Sequence, residues 1–222
     1  QPRSRGLGDV YKRQLHNLKY LLVSHSHSDH LAVHDLEYMM EPFALPPVFE
    51  SLKIFGNGAS IKRIKNAQTE KVSRHPGLLN EIHSFQELDL LPYKISTLKA
   101  MHKPDEESLN YIIEKDGKRV LYACDTGYYE SSTWEFLTGK KVDLVICECT
   151  GGPDKINYKY HMGFPNVLSF KEKAEEIGLT GPDSSWVLTH FSHGGGMMHH
   201  ELEKLVKPEG FEIAWDGMEI QL

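Results

Sequence analysis

The sequence predicts an α/β protein that forms one domain over residues 15–222. Short apolar runs typical of buried strands alternate with stretches in which apolar residues recur at helical spacing. No Pro-, Gly- or Ser-rich linker separates these segments, and interleaved strands and helices are typical of α/β folds. The chain has 222 residues, of which 40% are hydrophobic, so it is long enough to bury a sizeable core.

The predicted strands and helices follow one another closely. Residues 18–23 read Leu-Lys-Tyr-Leu-Leu-Val, a buried strand that runs into a histidine-rich turn. Asp116-Gly117 favours the positive φ angles of a type I′ turn and predicts a hairpin, and Gly178 is expected to end a helix. The predicted strands are 18–23, 52–55, 93–101, 111–114, 119–123, 142–147 and 186–188, the predicted helices are 31–40, 59–70, 164–177 and 197–206, and residues 212–215 and 218–222 are predicted to form a terminal hairpin.

The charge balance limits the classes of partner. Asp and Glu number 31 and Lys and Arg 25, a net charge of -6, which argues against DNA or tRNA as an obligate partner. No apolar run approaches the roughly 18 residues of a membrane-spanning helix. The three cysteines, Cys124, Cys147 and Cys149, form no disulfide framework and are expected to be small buried residues. A cytoplasmic location is therefore predicted, and the sequence leaves a homodimer open.

The strongest chemical feature is the segment Ser24-His25-Ser26-His27-Ser28-Asp29-His30, directly after the first predicted strand. Side chains alternate in an extended segment, so His25 and His27 point the same way and can bind one ion. Asp29 and His30 follow one short turn later and can reach a second ion. A solvated loop would not require this spacing, and buried histidines would each need a hydrogen-bond partner. The segment therefore predicts metal binding.

Three more residues of ligand type follow predicted strands: His102, Asp125 and His190. Strand ends on one edge of a sheet converge, so we expect seven such residues to meet. Two divalent ions about 3.5 Å apart would repel each other by roughly 19 kcal/mol at an effective dielectric constant of about 20. Such a pair needs bridging anions, and Asp125 and a shared hydroxide are the expected bridges.

The chain resembles the metallo-β-lactamase superfamily over residues 15–222. The resemblance is carried by the ligand-type residues in the order His25-x-His27-x-Asp29-His30, His102, Asp125, His190. The resemblance implies an αββα sandwich and two divalent ions, with zinc favoured over manganese or iron as the commonest. It places one metal on His25, His27 and His102, the other on Asp29, His30 and His190, and Asp125 between them.

Three further segments are Asp143-Leu-Val-Ile-Cys-Glu148-Cys-Thr150, His161-Met162 and Leu188-Thr189-His190-Phe191-Ser192. They resemble the corresponding motifs of tRNase Z and of the cyclic-phosphate phosphodiesterase associated with the carbon-phosphorus lyase pathway. The resemblance implies that His161 contacts the scissile phosphate and protonates the leaving oxygen, and that Glu148 orients His161. Asp29 completes the predicted catalytic residues. The alternatives are a surface histidine that opens a helix and a structural carboxylate at a strand end. A hairpin fills the interval before Asp125, where bacterial tRNase Z has a long basic arm, so a small substrate is expected.

We therefore expect a dinuclear metal-dependent hydrolase that cleaves a small phosphodiester or cyclic phosphate with a metal-bridging hydroxide. One alternative is hydrolysis of a carboxylic ester, thioester or lactone at the same metals. Another is an inactive metal-binding fragment.

Residues 1–14 are predicted to be a non-native tail. They have neither helical nor strand periodicity, and they resemble a translated sequencing adapter. The superfamily's first strands precede the histidine-rich motif, so we expect the native part of this chain, from Leu15 onward, to lack them. An unpaired sheet edge would then favour aggregation.

Overall fold

A computed structural model describes residues 18–39, 51–68, 70, 74–75, 77–154 and 159–222. The chain divides into two units, Gln1–Ile82 and His83–Leu222, and each unit has its own β-sheet. The predicted non-native tail, residues 1–14, lies outside the described residues.

The first unit contains a parallel three-stranded sheet in the order β1-β2-β3. Its helix α1 begins after Asn57, whose side chain accepts a hydrogen bond of 2.8 Å from the Ser60 N–H and so caps the first turn. Apolar side chains of β1, β2, α1 and the connecting loops form the core. The elements are β1 (Tyr20–Val23), a 3-10 helix (Asp35–Met39), β2 (Lys53–Gly56), α1 (Gly58–Ala67) and β3 (Leu79–Glu81).

The helix predicted over residues 31–40 is wrong in type, because the described part of this segment holds only a short 3-10 helix. Leu31, Val33 and Leu36 are all buried. An α-helix would place residues two apart on opposite sides, so it could not bury both Leu31 and Val33 against one core. The Asp35 N–H instead bonds the Ala32 carbonyl in a tight turn.

The second unit contains a seven-stranded mixed sheet in the order β10-β9-β8-β7-β6-β5-β4. Strands β4 to β7 pair antiparallel, and β7 to β10 pair parallel. The strands are β4 (Glu87–Leu90), β5 (Tyr93–Lys99), β6 (Leu109–Lys115), β7 (Lys118–Ala123), β8 (Leu144–Glu148), β9 (Ser185–Thr189) and β10 (Glu212–Ile213).

Three α-helices connect the parallel strands, as crossover connections require. Each lies in sequence between two of the four strands β7 to β10. Gly178 has a φ of 70° just after the second of these helices, which confirms the predicted stop. Aromatic rings fill the core, with the centroids of Trp134 and Phe170 4.7 Å apart. The helices are α2 (Ser131–Leu137), α3 (Phe164–Glu176) and α4 (His199–Val206), with 3-10 turns at His193–Gly195 and Lys207–Glu209.

Strand direction brings four loops to one edge of this sheet. Strand β5 is antiparallel to β6, and β6 is antiparallel to β7, so β5 runs in the same direction as β7, β8 and β9. The C-terminal ends of these four strands therefore share one edge. That edge carries His102, Asp125, Glu148 and His190.

One predicted hairpin is confirmed and the other is wrong. Asp116 and Gly117 have φ angles of 51° and 78° between β6 and β7, as a type I′ turn requires. The terminal hairpin does not form, because Glu212–Ile213 pairs parallel with β9 and residues 218–222 are not in a strand. Strands β3 and β4 and helix α2 were not predicted.

Among the described residues, no helix combines the length and the apolar character needed to cross a membrane.

Gly127 lies where the loop after β7 approaches another backbone segment. A Cβ atom at this position would overlap the carbonyl group of Lys159. We predict that Gly127→Ala lowers the free energy of unfolding by about 1–3 kcal/mol, as overpacking does. Gly181→Ala is the matched control, since a Cβ there meets nothing within 4 Å. Urea denaturation measures both, and a Gly127→Ala protein as stable as the wild type would contradict this close approach.

Candidate metal centre

Four side chains of ligand type lie on the loop after β1 in the first unit. His25 is fully buried, and its Nε2 lies 3.0 Å from Nδ1 of His27. Both nitrogens are close enough to contact one cation at ordinary metal–nitrogen distances. The ring of His30 lies 4.4 Å from that of His25, and Nε2 of His30 lies 3.4 Å from Oδ2 of Asp29. The loop thus brings His25 together with His27 and Asp29 together with His30, as the spacing predicts.

Backbone hydrogen bonds hold this loop. The N–H groups of His30 and Leu31 both donate to the carbonyl of His27, at 3.2 and 2.8 Å. Arg63 of α1 donates to the carbonyl of Ser26. The histidine-rich segment therefore forms a hydrogen-bonded turn.

Asp125 is the central carboxylate of the second unit. It is only 2% exposed, and its two oxygens face different imidazoles. Oδ2 lies 3.3 Å from Nε2 of His102, and Oδ1 lies 2.9 Å from Nε2 of His190. Nδ1 of His161 lies 3.8 Å from Oδ1. The structure thus brings together the predicted site residues that follow β5, β7 and β9.

The hydrogen bonding of His102 fits a cation at Asp125. Nδ1 of His102 lies 3.2 Å from the carbonyl oxygen of Tyr160, which can only accept, so Nδ1 carries the proton. In its neutral form the ring presents the lone pair of Nε2 to an anionic oxygen of Asp125. A cation would satisfy both groups, and a ligand histidine whose other nitrogen donates to a carbonyl is the usual arrangement at metal sites. The residues present therefore fit a divalent metal.

Two site residues have unusual backbone angles. Asp125 has a φ of 51° and His190 a φ of 58°, in the left-handed region that non-glycine residues seldom adopt. Such a conformation costs of the order of 1–3 kcal/mol and persists only where surrounding contacts fix it. His190 comes directly after β9 and Asp125 comes two residues after the end of β7, so the left-handed turn redirects the chain at the position of the functional side chain.

Glu148 and His161 form a hydrogen-bonded pair beside Asp125. Glu148 is fully buried, and its Oε1 accepts hydrogen bonds from His161 Nδ1 at 2.9 Å and from the Thr126 N–H at 2.6 Å. Burial opposes the charged form of His161, but the hydrogen bond and the charge of Glu148, with that of Asp125, raise the pKa of His161 above its ordinary value. The pair can hold a proton and deliver it to a leaving group.

The three cysteines are free and buried, as predicted. Burial raises the pKa of Cys124 and of Cys149 to about 12 and that of Cys147 well above its ordinary value. Because a thiolate is the form that binds metal, these thiols are unsuited to act as ligands.

Sequence reasoning missed Thr150 and the carbonyl of Tyr160. The hydroxyl of Thr150 contacts Glu148, His161 and His190. Its position two residues after Glu148, just past the end of β8, was a signal that could have identified it. No signal in the sequence identifies a backbone carbonyl as the partner of His102.

Comparisons with known proteins agree with the observed fold. The chain is 24% identical over 217 residues to the UPF0173 protein PYRAB01190 of Pyrococcus abyssi (strain GE5 / Orsay), an alignment that covers 92% of this chain and 88% of that protein. The metallo-β-lactamase fold protein YhfI from Bacillus subtilis is similar in structure, with a TM-score of 0.67, 24% identity and coverage of 96% of this chain and 82% of YhfI. A diphosphatase from the PhnP family has a TM-score of 0.65 at 19% identity, with coverage of 91% and 70%.

The family described as "Beta-lactamase superfamily domain" matches residues 4–191 of the chain. This match spans most of the sequence, and the structural similarities agree with the predicted fold class. The chain therefore belongs to the β-lactamase superfamily and is a metal-dependent hydrolase with the metallo-β-lactamase fold.

Proposed function

We propose that this hydrolase is a phosphodiesterase that acts on a small phosphodiester or cyclic phosphate with two bound divalent ions. The observation that carries the proposal is the pair of buried Glu148 and half-buried His161, with Nδ1 of His161 2.9 Å from Glu148 and 3.8 Å from Asp125. A proton donor fixed beside a carboxylate of ligand type is what cleavage of a phosphodiester requires.

Seven side chains are the proposed metal ligands. Each ion would be held by imidazole and carboxylate groups, a donor set that suits zinc, and also manganese or iron. When bound, the two ions would polarise the phosphoryl group and make water a nucleophile at neutral pH. The ligand sets are His25, His27 and His102 for one ion and Asp29, His30 and His190 for the other, with Asp125 shared.

Glu148, His161 and Asp29 are the proposed catalytic residues. Glu148 accepts the hydrogen bond from Nδ1 of His161 and so fixes the ring, which leaves Nε2 as the atom that can donate to the leaving oxygen. Asp29, which is exposed at the turn before His30, would be the third catalytic residue beside Glu148 and His161. The diphosphatase of the PhnP family, which is similar in fold, supports a phosphorus-containing substrate.

A small substrate and a cytoplasmic location are part of the proposal. The net charge of -6 disfavours a long polyanion such as DNA or tRNA. Three free thiols suit a reducing compartment.

The first test removes the proposed proton donor. His161→Ala should lower kcat by about 10²–10⁴-fold for a cyclic ribose phosphate, whose leaving group is an alkoxide that needs the proton. The loss should be smaller for bis-p-nitrophenyl phosphate, because p-nitrophenolate leaves without one. Zinc content, measured by elemental analysis, should stay at the wild-type value.

His199→Ala is the matched control, since His199 is an exposed histidine on α4. It should leave both rates unchanged. If His161→Ala slowed p-nitrophenyl acetate hydrolysis as much as phosphodiester cleavage, or slowed neither, the ester, thioester or lactone hydrolase would be the better description.

The second test removes the charge of the proposed bridging ligand. Asp125→Asn should reduce the metal content from two ions per chain to one or none after dialysis, because a neutral amide does not offset the repulsion between two cations. Elemental analysis measures the content, and thermal unfolding checks the fold. Asp183→Asn, at an exposed position, is the control. Two tightly bound ions in the Asp125→Asn protein would refute the bridging role.

A further inference from the structure

The hydroxyl of Thr150 lies among three side chains of the site. Its Oγ1 donates to Oε2 of Glu148 and lies 3.0 Å from Nδ1 of His190 and 3.2 Å from Nδ1 of His161. Thr150 comes just after β8, and His190 comes just after the neighbouring strand β9. One hydroxyl group thus contacts both the proton-donor pair and a proposed metal ligand.

Counting protons decides the direction of these hydrogen bonds. A hydroxyl has one proton to donate and two lone pairs that accept. Both oxygens of Glu148 receive backbone N–H groups, from Thr126 at 2.6 Å and from Met162 at 3.1 Å, so Glu148 acts as an acceptor. The proton of Thr150 therefore goes to Glu148, and the lone pairs of Oγ1 are left to accept.

The remaining partner, Nδ1 of His190, must then donate to Thr150. His161 already donates to Glu148 over a shorter distance, 2.9 Å against 3.2 Å to Thr150. A neutral His190 with its proton on Nδ1 directs the lone pair of Nε2 to Oδ1 of Asp125, 2.9 Å away. This is the arrangement that the carbonyl of Tyr160 imposes on His102.

We propose that Thr150 is a positioning residue that fixes the tautomer and orientation of His190 for cation binding through Nε2. The same hydroxyl ties His190 to Glu148, so that the metal ligand and the proton-donor pair keep one relative placement. The inference rests on the proposed function only in taking His190 as a metal ligand. A partner of a ligand's second nitrogen is worth 10–100-fold in metal affinity at other sites.

The test compares Thr150→Val, which removes the hydroxyl, with Thr150→Ser, which keeps it. Zinc affinity is measured by competition with a chromophoric chelator, in the absence of substrate. Thr150→Val should bind one of its two zinc ions about 10–100-fold more weakly, and Thr150→Ser should stay within about threefold of the wild type. Thr150→Ala, which also lacks the hydroxyl, provides the same comparison if valine disturbs folding.

Thr180→Val is the matched control. Thr180 is buried, and its hydroxyl has no hydrogen-bond partner among the described residues, so removing this hydroxyl should leave zinc binding unchanged. A second measurement is the Nδ1 proton of His190 in the zinc-loaded protein by NMR. It should be observed in the wild type and in Thr150→Ser and should exchange rapidly with water in Thr150→Val.

Two results would overturn the proposal. One is wild-type zinc affinity and a protected Nδ1 proton in both hydroxyl-free variants. The other is an equal loss of affinity in Thr150→Ser and Thr150→Val, which would assign the effect to packing of the methyl group. If the wild type cleaves no phosphodiester but the hydroxyl still controls zinc affinity, the role of Thr150 stands and only the proposed substrate class fails.

Discussion

The buried carboxylate of Glu148 is the constraint on which the second unit's site depends. Moving a carboxylate out of water costs several kcal/mol unless hydrogen bonds replace the lost hydration. The replacement donors come from two loops, namely the one after β7 and the one between β8 and α3. The loops must therefore close around this carboxylate. The donors are the N–H groups of Thr126, Thr150 and Met162, the hydroxyl of Thr150 and the imidazole of His161.

The loops of the second unit's site lie at one edge of the sheet, and strained backbone conformations orient two of the site's side chains. Strand direction alone would bring the residues after β5, β7 and β9 to one side of the unit. The left-handed backbone at Asp125 and at His190 then turns both side chains toward each other, with 2.9 Å between Oδ1 and Nε2. Packing and hydrogen bonds elsewhere in the unit must offset that strain.

Much of this could be predicted from the sequence, because each ligand-type residue follows an apolar run. His102, Asp125 and His190 were placed at strand ends on that basis, and the Asp-Gly turn fixed a hairpin. The failures came from long-range effects. Residues 212–213 pair with β9 rather than with the chain end, since the ladder partner lies far away in sequence. The positive φ of Asp125 and the partners of Thr150 depend on tertiary contacts that no local pattern contains.

The charge of the proposed ligand set bears on the substrate class. Among the seven proposed ligands only Asp29 and Asp125 are carboxylates, and the buried thiols are not ionised. With two divalent ions bound, the set would carry a net charge of about +2, because the two carboxylates offset half of the charge of the ions and neutral imidazoles contribute none. A hydroxide ion and an anionic phosphodiester would together neutralise the excess, whereas a neutral ester would leave half of it uncompensated. With two ions bound, the proposed ligand set would therefore favour an anionic substrate over a neutral one.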